Sequence, residues 1–203
     1  MLDRHARGLF TRLFTPAARA LLRRGVSPDA VTVVGTLGVS LGALGLFPGG
    51  HLFWGVMVIT SFVFSDVLDG VMARFAGTSG RWGAFLDSTL DRVQDAAIFL
   101  GLAWWAFGAG GHPEIGVLAT VCLSLGMLVS YARAKAEALG FTANTGIAER
   151  AERLVATLVA AGLVGLGLPV LVLTAVLALL AVASLVTVVQ RVVTVLRQSR
   201  RLG

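Results

Sequence analysis

The chain has 203 residues, of which 56% are hydrophobic and only 14% are charged, and its mean hydropathy is +0.84. This composition excludes a soluble domain built around a single core, because apolar stretches of about 20 residues, long enough to cross a bilayer, recur along its length. The formal charge of +6 suits nucleic acid, anionic lipid or an anionic substrate as a partner, and the placement of the charges favours the last two. The single cysteine, Cys122, excludes an internal disulfide.

Residues 1–26 contain arginines interleaved with leucines and phenylalanines. This pattern predicts an amphipathic helix that lies at a membrane surface, with its basic face toward lipid phosphates. A solvated basic tail would also account for the arginines, but not for the apolar residues between them. Ser27, Pro28 and Asp29 then form a helix start, with a cap residue, a proline in the first turn and an acid near the positive helix end.

Six apolar segments follow, and each is predicted to be a transmembrane helix. They cover residues 30–47, 52–75, 82–107, 114–139, 149–167 and 170–196. The predicted fold is therefore all-α and integral to the membrane, in a single domain over residues 1–203. A juxtamembrane segment at 1–26 precedes the six-helix bundle at 27–196, and a basic tail at 197–203 follows it.

The positions of the charges predict the topology. Every lysine and arginine lies in the N-terminal segment, in the regions 74–92 and 133–153, or toward the C-terminal end, whereas the other turns carry none. By the positive-inside rule, the basic side, with both termini, faces the cytoplasm of a cell membrane. Trp54, Trp104 and Trp105 fall near the opposite boundary, as expected for an aromatic belt.

Four aspartates stand out in the second and third predicted spans. They are Asp66, Asp69, Asp87 and Asp91. Spacings of three and four place each pair on one face of its helix, and a glycine-rich turn between the pairs lets the two helices present their carboxylates to each other. Four acidic groups this close require cations or protonation. Hard oxygen ligands in this number suit magnesium, manganese or calcium.

Two other interpretations of the aspartates are open. Salt bridges to Arg74, Arg81 and Arg92 would balance their charge, but would not explain why both same-face pairs meet across a glycine loop. A cation transporter would use intramembrane carboxylates to bind the ion that it moves, usually near the midplane. Here the carboxylates lie toward one side, beside Arg74, which repels a cation.

The aspartates belong to the pattern D-x-x-D-G-x-x-A-R-x8-G-x-x-x-D-x-x-x-D. It is filled by Asp66, Asp69, Gly70, Ala73, Arg74, Gly83, Asp87 and Asp91. At every position this resembles the signature of the CDP-alcohol phosphotransferases. The resemblance implies six transmembrane helices, usually in a homodimer, and displacement of CMP from a CDP-linked donor by an alcohol. It further implies that the four aspartates bind two metal ions, Mg²⁺ or alternatively Mn²⁺, and that Asp91 is also the general base.

The same resemblance predicts a binding site for the CDP-linked donor. Its residues are Pro28, Asp29, Thr32, Gly70, Ala73, Arg74 and Gly83. Two cations would neutralise the diphosphate and fix its β-phosphorus for in-line attack. Gly70 and Gly83 have no side chain where the nucleotide must approach, and Arg74 suits a diphosphate oxygen, although it also balances the aspartates. For the residues at 28–32, a plain helix cap explains the sequence equally well.

A basic and polar cluster in the second half of the chain is predicted to bind the acceptor alcohol. Its members are Ser130, Arg133, Lys135, Arg150, Arg153 and Arg191. A convergent cluster of this kind suggests that the acceptor is itself phosphorylated. Positive-inside topology with snorkelling side chains is the alternative, and it is weaker for Arg150, Arg153 and Arg191, which come from different spans.

Longer stretches resemble one branch of the family, the actinobacterial phosphatidylinositol-phosphate synthases. They are residues 15–32, 86–105, 130–140, 147–154 and 189–195. This resemblance implies transfer of the phosphatidyl group of CDP-diacylglycerol to inositol phosphate, with release of CMP. Glycerol 3-phosphate is the nearest alternative acceptor, because it also carries a phosphate. Asp95 lies one turn beyond Asp91 on the same face, and two roles are open for it, as a partner of the residues near Arg92 or as part of the acceptor pocket.

Overall fold

The computed structural model describes residues 15–63, 65–77 and 80–201, without the side chains of 65–67. Within these residues the chain forms helices and no strand. The helices are α1 (15–23), α2 (Pro28–Leu46), α3 (Leu52–Val63), α4 (Ser65–Ala76), α5 (Arg81–Phe107), α6 (Pro113–Ala138), α7 (Arg150–Gly165) and α8 (Leu171–Ser199). The all-α prediction is confirmed. Of the predicted amphipathic segment at 1–26, residues 1–14 lie outside the described residues.

The helix boundaries agree with the local sequence signals. Ser27 caps α2, and its hydroxyl oxygen accepts a hydrogen bond of 3.2 Å from the backbone N–H of Ala30. The end of α8 differs from the prediction, because the helix continues past residue 196 to Ser199. Gln198 explains the extension: its amide accepts from the N–H of Thr142 at 3.0 Å and donates to the Thr142 carbonyl at 2.6 Å, so the last turn is held against the preceding loop.

The long helices pack in a closed ring. Helix α2 contacts α3 and α5, α3 contacts α7, α7 contacts α8, α8 contacts α6, and α6 contacts α5, which completes the ring. Gly101 allows the close approach of α5 to α2, since a Cβ at this position would stand 2.6 Å from the carbonyl oxygen of Ala43. Helix α4 packs beside α2 and α3. The ring therefore sets the start of α5 next to the start of α2 and the end of α4.

Four helical stretches are long and apolar enough to cross a membrane. They are Pro28–Leu46, Leu52–Ala76, Pro113–Ala138 and Leu171–Ser199. The other two helices of the ring, α5 and α7, do not meet both conditions. The first half of α5 carries several charged residues, and α7 has 16 residues, short of the roughly 20 that a bilayer requires.

The outer surface of the bundle is strongly apolar. Leu41, Leu171 and Leu179 are each at least 70% exposed, which suits contact with lipid rather than water. Trp104 is 63% exposed and suits the predicted aromatic belt, but Trp105 is only 7% exposed and packs against the ring of His112. The prediction that Trp105 belongs to the belt is wrong, because this side of α5 faces the core.

Helix α1 packs against α4. Ala18 is fully buried against Val71 and Met72, and the guanidinium of Arg19 lies 5.1 Å from the centre of the Phe75 ring. A cation over an aromatic face is attracted by the ring. The described part of the basic N-terminal segment is therefore attached to the helix that carries the first aspartate pair.

Candidate active site

A cavity of about 440 Å³ lies between the starts of α2 and α5 and the end of α4, and we call it the motif cavity. Its lining residues are Pro28, Asp29, Thr32, Asp69, Gly70, Ala73, Arg74, Gly80, Gly83, Ala84 and Asp87. All seven residues predicted to bind the CDP-linked donor thus line one cavity, together with two of the four predicted metal ligands. Gly80 and Ala84 were not predicted.

Hydrogen bonds fix two acids in the wall of the motif cavity. Asp69 is buried, and its Oδ2 accepts a short hydrogen bond of 2.5 Å from the hydroxyl of Thr32 on α2. Asp29 accepts a hydrogen bond of 3.0 Å from the indole N–H of Trp82, in the first turn of α5. These contacts tie α2 to α4 and to α5. Asp29 and Thr32 therefore do more than begin a helix.

The two glycines of the motif open onto this cavity. A Cβ added to Gly83 would meet no described atom within 4 Å, and one added to Gly70 would meet only Nη1 of Arg74, at 3.9 Å. Packing within the protein therefore does not explain either glycine. Both positions keep the helix backbone accessible from the cavity, as the sequence predicts for a nucleotide that approaches closely.

A second cavity of about 830 Å³, which we call the basic cavity, adjoins the first. Its lining residues are Ala84, Asp87, Ser88, Asp91, Arg92, Met127, Val129, Ser130, Tyr131, Arg133, Ala134, Glu137, Glu149, Arg150, Arg153 and Arg191. Five of the six predicted acceptor residues are among them. Lys135 is exposed on α6 and is absent from the described lining. Ala84 and Asp87 line both cavities.

Arginines from two helices surround Asp91, which lines the basic cavity, and Asp95, one turn further along α5. Nη1 of Arg150 lies 2.8 Å from Oδ1 of Asp91, and Nη2 of Arg92 lies 3.5 Å from its Oδ2. Asp95 is closest to Nε of Arg150, at 3.0 Å, and each of Arg92 and Arg153 is at 3.8 Å. Of the salt-bridge partners considered from the sequence, Arg92 does contact Asp91, but the nearer partner comes from α7.

The buried arginines of this cavity also bind backbone carbonyls. Arg153 is 2% exposed and donates to the carbonyl of Ala148 at 2.9 Å. Arg191 is 3% exposed and donates to the carbonyls of Val129 at 2.6 Å and Thr145 at 2.9 Å. A snorkelling arginine at a helix end keeps its charged head in water. Positive-inside topology therefore does not explain these two residues.

The acids at the junction have the chemistry of a hard-metal site. Asp69 and Asp87 line the motif cavity, and Asp87 and Asp91 line the basic cavity. Asp66 begins the same turn of α4 as Asp69, but its side chain lies outside the described structure. Among the side chains that are described, no three acids, histidines or cysteines form a ready cluster. Carboxylate oxygens from two facing helices nevertheless fit Mg²⁺ or Mn²⁺.

Residues 25–196 match the CDP-alcohol phosphatidyltransferase family. The chain belongs to this family. It is 54% identical over 206 residues to the phosphatidylinositol phosphate synthase of Streptomyces avermitilis, covering 98% of this chain and 84% of that protein. It is 47% identical over 188 residues to the protein of the same name from Mycolicibacterium smegmatis, covering 92% and 85%.

Solved structures of the family have the same fold. The crystal structure of Mycobacterium tuberculosis phosphatidylinositol phosphate synthase with CDP-DAG bound aligns with a TM-score of 0.85 and 45% identity, over 91% of this chain and 94% of that one. The structure of that synthase with manganese and citrate also gives 0.85, at 44% identity over 90% and 88%. The chain is thus a CDP-alcohol phosphotransferase, a membrane enzyme of phospholipid synthesis, and its resemblance to the actinobacterial branch is confirmed.

Sequence reasoning missed two polar residues near the aspartate pattern, Gln94 and Trp82. Gln94 is buried, donates to the Thr36 hydroxyl at 3.2 Å, and accepts from Nη2 of Arg150 at 2.8 Å. Its position three residues after Asp91, on the same face of an apolar helix, was an available signal. Trp82 carried no such signal, because an indole at the start of a membrane helix is also typical of an interfacial residue.

Proposed function

We propose that the chain transfers the phosphatidyl group of CDP-diacylglycerol to inositol phosphate, forming phosphatidylinositol phosphate and CMP. The observation that carries this proposal is that the motif cavity and the basic cavity share Ala84 and Asp87 on α5. A donor in the first and an acceptor in the second would meet at one helical turn. The name of the Streptomyces avermitilis relative and the CDP-DAG in the Mycobacterium tuberculosis structure support the same choice of substrates.

The motif cavity holds the CDP part of the donor. Asp29 and Thr32, with Pro28, form the cytidine side at the start of α2, where Trp82 fixes the Asp29 carboxylate. Arg74 donates charge-assisted hydrogen bonds to a diphosphate oxygen. Gly70, Ala73 and Gly83 complete the wall, since their small or absent side chains allow the nucleotide to reach the helix backbone.

The carboxylates of Asp66, Asp69, Asp87 and Asp91 hold two Mg²⁺ ions, with Mn²⁺ as a substitute. Bound there, the ions neutralise the diphosphate and the leaving CMP. The hydrogen bond from Thr32 fixes the Asp69 carboxylate from the outer side. The manganese in the Mycobacterium tuberculosis structure supports a divalent-metal requirement in this fold.

Asp91 is the general base. It lines the basic cavity next to Asp87, and Arg150 and Arg92 face its two oxygens, which orients the carboxylate. It takes the proton from the acceptor hydroxyl while that oxygen forms a bond to the β-phosphorus of the donor. The bond from this phosphorus to the bridging oxygen breaks, and CMP leaves with the electron pair.

The basic cavity holds the acceptor. Its phosphate is bound by Arg133, Arg150, Arg153 and Arg191, with the hydroxyl of Ser130 beside them. Lys135, two residues after Arg133 on α6, lies outside the described lining and adds positive charge nearby. Guanidinium groups suit a phosphate because their N–H groups match its oxygens in pairs. The hydrogen bonds of Arg153 and Arg191 to backbone carbonyls hold them in place before the acceptor arrives.

The enzyme spans the cell membrane six times, through the six helices of the ring, with α4 continuing α3 in the second span, and both termini and the active site lie on the cytoplasmic side. The basic residues at the ends of α6 and α8 and at the start of α7 support this orientation. Residues 1–26 lie along the interface as an amphipathic helix, and the domain over residues 1–203 forms a homodimer, as the family resemblance implies.

The test is release of CMP by the purified protein with CDP-diacylglycerol and Mg²⁺. Inositol phosphate, glycerol 3-phosphate and free inositol are offered in parallel. Turnover with inositol phosphate alone is expected. Turnover with glycerol 3-phosphate instead would keep the aspartate chemistry and overturn the assignment of the acceptor. An absence of turnover with every acceptor, in folded protein, would contradict the proposed reaction.

A further inference from the structure

Asp95 is a buried carboxylate that the mechanism above does not use. It lies on α5 one turn after Asp91, its side chain is only 6% exposed, and it is absent from the described lining of both cavities. A buried aspartate without hydrogen-bonded or charged partners is strongly unfavourable. Asp95 satisfies this requirement with arginines from two helices: Arg150 at 3.0 Å and Arg153 at 3.8 Å on α7, and Arg92 at 3.8 Å on its own helix.

These contacts explain how three guanidinium groups share one small region. Like charges in a poorly solvated site repel strongly, and they separate unless an opposite charge lies between them. Asp91 faces two of the three arginines, but its carboxylate is required at the reacting centre. Asp95 stands behind the cavity wall, so it can balance the arginines without occupying the space of a substrate.

Gln94 adds a second, uncharged contact to the same support. Its side-chain oxygen accepts from Nη2 of Arg150 at 2.8 Å, and its amide N–H donates to the hydroxyl of Thr36 at 3.2 Å. Arg150 thus has Nη1 on Asp91, Nε on Asp95 and Nη2 on Gln94. Such a set of partners fixes the plane of the guanidinium, whereas a single ion pair would leave it free to rotate.

We propose that Asp95, together with Gln94, is a positioning residue for recognition of the acceptor phosphate. It holds the guanidinium groups of Arg150 and Arg153 in the geometry in which they bind that phosphate. This inference rests on the proposed function in one respect, that the acceptor is phosphorylated. Asp95 itself touches neither substrate and acts only through the two arginines.

The proposal predicts an effect opposite in sign to that of simple electrostatics. Removing a negative charge near a cavity that binds an anion would, by field alone, tighten binding of the anion. If Asp95 positions the arginines, removing its charge lets the guanidinium groups separate, and binding of the acceptor weakens. The direction of the change in acceptor KM therefore distinguishes the two effects.

The experiment compares Asp95→Asn with the wild-type enzyme in CMP release, varying inositol phosphate and CDP-diacylglycerol in turn. Acceptor KM is expected to rise by about tenfold or more, while donor KM stays within about twofold. Glu152→Gln is the matched control, because it removes the same charge from an exposed position on α7 and leaves the buried pairs intact. Gln94→Met is a second variant, in which no charge changes. For Gln94→Met, acceptor KM is expected to rise less than in Asp95→Asn, and donor KM is expected to stay unchanged.

An unchanged or lowered acceptor KM in folded Asp95→Asn would overturn the proposal. If Asp95→Asn does not fold, Gln94→Met is the test, and an unchanged acceptor KM in Gln94→Met would also overturn the proposal. Acceptor preference of the wild-type enzyme tests the proposed function separately. If glycerol 3-phosphate is the substrate, the ratio of acceptor KM in each variant to that in the wild-type enzyme is measured with glycerol 3-phosphate. A wild-type enzyme that uses only an unphosphorylated acceptor would contradict this inference too.

Discussion

Replacing Gly83 with alanine separates the role of this residue in catalysis from any role in folding. A Cβ at Gly83 would meet no described atom within 4 Å, and the residue lies in the first turns of α5. Alanine is favoured over glycine within a helix by about 1 kcal/mol, so the free energy of unfolding should not fall. Gly45, on α2, also has no described atom within 4 Å of an added Cβ, and Gly45→Ala is therefore the control.

The cost of Gly83→Ala should appear in donor binding. If the nucleotide packs against the backbone here, an added methyl overfills the cavity at a cost of about 1–3 kcal/mol, which corresponds to a fall of about 5- to 150-fold in kcat/KM for CDP-diacylglycerol. Steady-state CMP release with saturating acceptor measures this value, and thermal unfolding in detergent measures stability. If both variants kept wild-type kcat/KM, the donor would not approach Gly83, and the assignment of the motif cavity would be refuted.

Three further predictions test the bundle and the metal site. In Thr32→Val, the buried carboxylate of Asp69 loses a hydrogen-bond donor, so the free energy of unfolding should fall by about 1–3 kcal/mol. The Mn²⁺ concentration that gives half-maximal activity should rise. Unchanged values in both assays would contradict the contact between Thr32 and Asp69. Gly101→Ala should destabilise the fold by about 1–3 kcal/mol in thermal unfolding, because its Cβ would clash with the Ala43 carbonyl, and a wild-type melting temperature would show that α2 and α5 are not so close. EDTA should abolish CMP release and added Mg²⁺ should restore it, whereas activity that survives chelation would exclude the proposed metal site.

Local patterns in the sequence predicted the parts of the site that lie within single helices. Three of the residues predicted to bind the donor, Gly70, Ala73 and Arg74, lie three and four positions apart, so helical periodicity alone predicts that they share a surface of α4. Hydropathy predicted the helices, and the cap at Ser27 was visible in three consecutive residues. The seven residues predicted to bind the donor all line the motif cavity, but they come from three helices, so the family resemblance and not helical periodicity predicted the set.

Contacts between distant helices were not predictable in the same way. Arg150 lies 55 residues after Asp95 in the chain, and no periodicity reveals that α5 and α7 bring the two together. The orientation of Trp105 depends on which side of α5 faces the core, and the part of α5 after Asp95, which is apolar on all sides, gives no indication of it. The final turn of α8 depends on one contact between Gln198 and Thr142, which composition does not encode.

The central claim is that one phosphatidyl group passes from the motif cavity to an acceptor in the basic cavity, with Asp91 as the base. The most direct test supplies inositol phosphate with a ³²P-labelled phosphate and measures label in the lipid extract, for the wild-type enzyme and for Asp91→Asn. We expect labelled lipid that requires both CDP-diacylglycerol and Mg²⁺ in the wild-type enzyme, and none above background in the variant. Lipid labelling by folded Asp91→Asn at the wild-type rate, or none by the wild-type enzyme, would contradict the account.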